Sequence, residues 1–132
     1  MRRVLILSAA VLAGASGAAW ADCSNTQVSP NVLVGNRIVV AAGANSTNEY
    51  HGPGNSLTEC AQGLTSTIDP THVVGTWNID LDGVGLISYD YGPGNHKFTY
   101  TVHDNGNGTY SFCNLVGGAL AATGTLVGGS CP

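Results

Sequence analysis

Basic residues are nearly missing from this chain. Of 132 residues only four are Lys or Arg, and two of them, Arg2 and Arg3, stand at the very start. Beyond residue 21 only Arg37 and Lys97 remain, against eight acids: Asp22, Glu49, Glu59, Asp69, Asp80, Asp82, Asp90 and Asp104. Two positive against eight negative leaves −6 for residues 22–132. A nucleic-acid partner is thereby excluded, because phosphate contact depends on clustered Lys and Arg. The same scarcity argues against docking on an anionic membrane surface. Charged residues of both signs make up only 9% of the chain and 43% is hydrophobic, which excludes disorder and a coiled coil. No two cysteines have C-x-x-C or C-x-x-C-H spacing, so zinc-ribbon, thiol-redox and haem-attachment readings have no support. No nucleophile motif is present either; no catalytic residue is assigned, and no motif asks for a cofactor.

What is present begins with an export signal. Met1-Arg2-Arg3 is a short positive start, Val4 to Val11 an apolar run, and Ala19-Trp20-Ala21 the small-x-small form that signal peptidase reads. The stretch dilutes into Gly, Ala and Ser before the ~20 apolar residues that a spanning helix needs. Asp22 before Cys23 does not suit a lipoprotein, and Arg2-Arg3 lacks the polar surroundings of a twin-arginine signal. The expected organisation is a general secretory signal peptide over 1–21, cleaved after Ala21, and a single domain over 22–132. Its location would be periplasmic, outer-surface or extracellular, with no membrane span after cleavage. The four cysteines, Cys23, Cys60, Cys113 and Cys131, all lie in the exported part and read as two disulfides. Of three connectivities, Cys23 with Cys60 and Cys113 with Cys131 is the expected one, the latter tying the last hairpin to the C-terminus.

Turns punctuate the rest. Asn31 to Val34 and Asn36 to Val40 read as two short β runs split at Gly35-Asn36, and Ala41 to Asn48 as a loop. Gly-Pro-Gly-Asn occurs at Gly52 to Asn55 and again at Gly92 to Asn95, which suits type II turns. The echo makes Asn48 to Gln62 a hairpin. The rival reading is a short helix, since Ser56 to Glu59 has capping-box spacing and Leu57, Cys60, Ala61 and Leu64 share a helical face. Ile68-Asp69-Pro70-Thr71 is a turn. After it Trp77, Ile79 and Leu81 alternate with Asn78, Asp80 and Asp82, and Phe98, Tyr100 and Val102 with Lys97, Thr99, Thr101 and His103. From Val73 onward the chain reads as an antiparallel meander of about five strands. The fold class is all-β: a small sandwich or barrel with two disulfides.

At Glu49-Tyr50-His51, Ile68-Asp69-Pro70-Thr71, Val74-Gly75-Thr76-Trp77, Tyr89-Asp90-Tyr91-Gly92 and Thr109-Tyr110-Ser111-Phe112-Cys113 the chain resembles a group of small exported proteobacterial proteins with no assigned function. The resemblance covers roughly residues 31–131 and implies a cell-envelope or secreted location, and no activity. The chain departs from the group where a Trp usually precedes the Glu-aromatic-His triplet and Ser46-Thr47-Asn48 stands instead. Gly75-Thr76-Trp77 is also similar to the Gly-x-Trp of lipocalins, but only about five strands follow it, short of the eight such a barrel needs.

Three sets of residues are candidates for chemistry. Asn78-x-Asp80-x-Asp82-Gly83 matches the opening of a calcium loop, although Tyr89 stands where the bidentate Glu would be; the competing reading is a strand ending in an Asp-Gly turn. Glu49 and His51 share a strand face, so a carboxylate and an imidazole can meet there. Tyr89 and Tyr91 share a face of another strand and, if exposed, would make a sugar-binding or adhesive surface with Asn and Thr neighbours. Together Glu49, His51, Tyr89 and Tyr91 are the candidate surface site. His72, His96 and His103, like His51, read as turn or surface histidines. Trp77, the one Trp beyond residue 21, is expected to anchor the core.

The function class that follows is a non-catalytic secreted or envelope β-module that binds a protein or glycan partner or other copies of itself. Leu120 to Val127 carries no charge, so an open edge there would accept another strand. The alternatives are a small inhibitor-like or ligand-carrying β-barrel, and an enzyme using Glu49 and His51.

Overall fold

Period-two alternation of apolar and polar side chains sets the strands. The computed structural model describes residues 22–40, 46–61, 70–94 and 96–132. They form β1 (Gln27–Val28), β2 (Asn36–Val40), β3 (Thr47–His51), β4 (Ser56–Glu59), β5 (His72–Asp80), β6 (Leu86–Asp90), β7 (Lys97–Asp104), β8 (Thr109–Asn114) and β9 (Leu120–Gly128). Residues 1–21, with the expected signal peptide, and the Gln62, Leu64 and Ile68-Asp69 positions lie outside the described residues.

From β2 to β9 each strand pairs antiparallel with the next, and β9 returns to pair with β2. The result is a closed, all-antiparallel barrel of eight strands with β1 added to the outer half of β7, at Gln27–His103 and Val28–Val102. The meander of five strands from Val73 onward is present as β5 to β9. Its shortfall against eight is made up by the three strands before it, so the strand count no longer speaks against a barrel. Asn48 to Glu59 is the expected hairpin, not the rival helix, and Thr47 and Asn48, expected in the preceding loop, already belong to β3, while Ala41 to Asn45 lie outside the described residues. Gly54, after Pro53, takes φ 67° at that turn, as the Pro-Gly pair suggested.

Two expectations are corrected here. Asn31 to Val34 is not a strand: Pro30–Leu33 forms a 3₁₀ turn, because Pro30 fixes the first position and Ser29 Oγ accepts from the Asn31 amide at 3.3 Å. Pro30 and Leu33 are buried, and Leu33 joins the core beneath one end of the barrel. The disulfides pair Cys23 with Cys113 and Cys60 with Cys131, not the sequence neighbours. Leu120 sits opposite Cys113, and from there β9 carries the chain some eight residues, roughly 26 Å, to the far end of the barrel at Gly128. The strand leading to Cys131 thus runs away from Cys113, whereas a disulfide needs Cα atoms within about 7 Å. Among the described residues no cysteine is free.

The inner face carries Leu33, Ile38, Leu57, Trp77, Ile87, Tyr89, Val102 and Phe112 as one core. Trp77 does anchor it: the ring is buried and its Nε1 donates to the carbonyls of Gly52 and Ser56 at 3.2 and 3.1 Å. Gly124 is required where β9 crosses Ile38, since a Cβ there would collide with the Ile38 side chain. Outward positions such as Thr76, Asn78, Ser88, Asp90 and Thr99 are polar. Among the described residues no helix is long and apolar enough to cross a membrane. β9 is hydrogen-bonded to β8 over Leu120–Thr125 and to β2 over Thr125–Gly128, so Leu120 to Val127 is built into the closed barrel and is not a free edge strand.

Candidate functional site

Closure brings the four candidate residues to one place, on the inside. Glu49 and His51 project inward from β3, and Tyr89 and the following Tyr91 project inward from β6 and its end, across the barrel. They line a cavity of about 180 Å³ with Ile38, Val40, Thr47, Tyr100, Phe112 and Ala122. The expectation of a surface site is corrected to this extent: the shared faces were read properly, but they face the interior, because β3 and β6 are both flanked by neighbours that close the barrel.

Hydrogen bonds fix the polar groups. His51 Nδ1 lies 3.3 Å from the Asn36 carbonyl, which can only accept, so Nδ1 carries the proton. Burial holds the imidazole neutral, lowering its pKa from 6.5 to about 4, with the bond to Asn36 opposing. Nε2 is then an acceptor, and the Tyr89 hydroxyl 2.7 Å away donates to it. Burial pushes the Tyr89 pKa well above 10, and the neighbouring Tyr91, Glu49 and Tyr100 add to it, so the phenol keeps its proton. Tyr91 donates to Glu49 Oε1 at 2.9 Å. Burial raises the Glu49 carboxyl above its ordinary range; the Tyr91 hydrogen bond opposes this, and Glu59, directly across the β3–β4 ladder, reinforces it. Burial also raises the Tyr91 and Tyr100 hydroxyls, with Glu49 contributing to both.

The rings form a continuous wall. Tyr89 stacks on Tyr91 with centroids 6.1 Å apart, Tyr100 lies 6.1 Å from Tyr89, and Phe112 meets Tyr100 edge-on at 6.1 Å. His51 also meets Trp77 edge-on at 5.9 Å, which links the cavity to the core below.

The other candidates lie elsewhere. Asn78 and Asp80 point outward from β5, Asp82 is exposed beyond it, and one Asp80 oxygen accepts from the Asp82 amide at 3.0 Å. Among the described residues no three His, Cys, Asp or Glu side chains gather where they could hold a metal. His72 is exposed, as expected. His51 and His103 are buried instead, His51 by barrel closure and His103 because the segment before β1 covers the outer face of β7. The sequence reading missed Ile38, Val40, Thr47, Phe112 and Ala122 as cavity residues. Their signal was the inward phase of β2, β8 and β9, which becomes readable only when those strands are known to close on one another.

Comparison of the chain with protein-family models, with curated proteins and with solved structures gives no match.

Proposed function

We propose that this protein is a non-catalytic, ligand-carrying β-barrel that encloses one small, largely apolar molecule. The observation that carries the reading is the cavity of about 180 Å³ among Ile38, Val40, Tyr89, Phe112 and Ala122 within the closed barrel. Cavities of about 150 Å³ lined by apolar side chains bind benzene, so this one suits a molecule built on a single ring. The two disulfides support an oxidising, exported setting. The signal segment over 1–21 and the resemblance to small exported proteobacterial proteins support the same setting. The inward orientation of Tyr89 and Tyr91 favours enclosure over the adhesive surface.

Titration of the disulfide-intact protein with a panel of single-ring compounds, followed by NMR, tests the reading. At least one should bind saturably, one to one, and Ala122→Phe, which fills the cavity from its wall, should abolish that binding in a protein that keeps its disulfides and strand content. No saturable ligand, or binding unaffected by Ala122→Phe, would overturn it.

A further inference from the structure

The cavity's hydrogen-bonding valences have a direction. Tyr89 uses its proton on His51, and Tyr91 uses its proton on Glu49. Both ring nitrogens of His51 are engaged. What these groups still offer to the cavity is therefore acceptors only: the lone pairs of the two phenol oxygens and Glu49 Oε2. The Tyr100 and Thr47 hydroxyls can turn either way. The charge has a direction too. Glu49 points inward with Glu59 on the same face across the ladder. Arg37 and Lys97, the only basic side chains beyond residue 21, are directed elsewhere. Arg37 bonds the outward Asn48, and Lys97 lies 3.9 Å from the outward Asp90. Finally, Tyr89, Tyr91 and Tyr100 all line the cavity, and aromatic rings attract cations and repel anions at their faces.

Resting on the ligand-carrying reading, we propose that the cavity selects a small organic cation, a primary or quaternary ammonium on a single-ring or comparably short body. Its charge sits against Glu49 and the Tyr89, Tyr91 and Tyr100 rings, and its apolar part lies among Ile38, Val40, Phe112 and Ala122. An ammonium supplies donors to the acceptors that Tyr89, Tyr91 and Glu49 leave, and a counter-charge that no side chain among the described residues provides there. A carboxylate or phosphate ligand would meet Glu49 and acceptors, and a neutral arene would leave Glu49 buried beside it with no cation.

Calorimetric titration of the protein at pH 8 with phenethylammonium, its uncharged shape-mate propylbenzene and the anion phenylacetate decides the matter. The expected order is phenethylammonium tightest, by about tenfold or more over propylbenzene, with phenylacetate not bound. Glu49→Gln should erase the preference for the cation, lowering phenethylammonium affinity while propylbenzene still binds. In the wild type the preference should shrink as pH falls and a proton replaces the cation on Glu49. Propylbenzene binding as tightly as the amine, or a cation preference that survives Glu49→Gln, would overturn this inference and leave the ligand-carrying reading standing. If none of the single-ring compounds bound, both would fall. The wild-type ranking carries the test on its own, so a variant that failed to fold would not rescue the proposal.

Discussion

Two polar patches, each built around buried groups, lie on opposite sides of the barrel wall, and they differ in what they face. The inner patch, Glu49, His51, Tyr89 and Tyr91, lines the cavity, with the phenol protons of Tyr89 and Tyr91 spent on His51 and Glu49. The outer patch lies beneath the segment that precedes β1. There Asn105 Oδ1 accepts from Asn25 Nδ2 at 2.7 Å and from Ser111 Oγ at 3.0 Å, and Asn105 Nδ2 donates to Thr109 Oγ1. His103 Nδ1 meets the Asn25 carbonyl at 2.8 Å, and its Nε2 meets Thr101 Oγ1 at 2.9 Å. The Cys23–Cys113 disulfide pins the covering segment in place. A saturated network of this kind holds a fold together, because a buried group without a partner is costly.

Four changes separate the patches, from the largest expected effect to the smallest. Replacing both Cys23 and Cys113 by Ser releases a loop of 90 residues and should cost about 2 to 5 kcal/mol in urea unfolding. Ligand affinity at the inner cavity should stay as it was; loss of both together would mean that the two patches act as one.

Acidification should strike the inner patch next. His51 has a folded pKa depressed to about 4, so its contribution is full above 6.5 and is lost as pH falls from 6.5 toward 4. The loss should reach about 3 kcal/mol by linkage. Glu49 runs the other way: its folded pKa is raised, so its contribution is full at low pH and is lost as pH rises through the folded value. Denaturation at closely spaced pH values should therefore show a wild-type decline in that window which His51→Gln removes.

Ser111→Ala removes one of two donors to Asn105 and should cost about 1 to 2 kcal/mol without moving ligand affinity. Glu49→Gln should change stability least, by less than about 1 kcal/mol, and in the stabilising direction near pH 8, because it removes a charge held in the interior. Thermal scans at pH 8 and pH 4 check the sign: the gain should vanish at the lower pH, where wild-type Glu49 is already protonated.

These residues also show how far sequence alone reaches. In β5 and β7 the alternation is unambiguous, since Trp77 and Ile79 oppose Asn78 and Asp80, and Phe98, Tyr100 and Val102 oppose Lys97, Thr99 and Thr101; strand and face follow directly, whereas burial departs from them at the exposed Phe98 and the buried, outward His103. In β3 the alternation has no sign. Thr47, Glu49 and His51 on one face are as polar as Asn48 and Tyr50 on the other, so period two shows that Glu49 and His51 travel together but not which way they point. Only pairing with β2 and β4 settles it. Disulfide pairing is less legible still, because it depends on where a nine-residue β9 delivers the chain, and that is a property of barrel size. Val32 and Leu33 have strand-like composition, and the neighbouring Ser29-Pro30 overrides it.

The central claim, that the inner cavity is a binding site with a charge-selective end, is tested most directly by locating a bound phenethylammonium. Intermolecular nuclear Overhauser effects should connect its ring protons to the Ala122 methyl and the Phe112 ring, and its methylene beside nitrogen to the Tyr91 and Tyr100 rings and the Glu49 side chain. Contacts confined to outward residues such as Thr76, Ser88 or Thr99, with the signals of Ala122 and Phe112 unchanged, would contradict it.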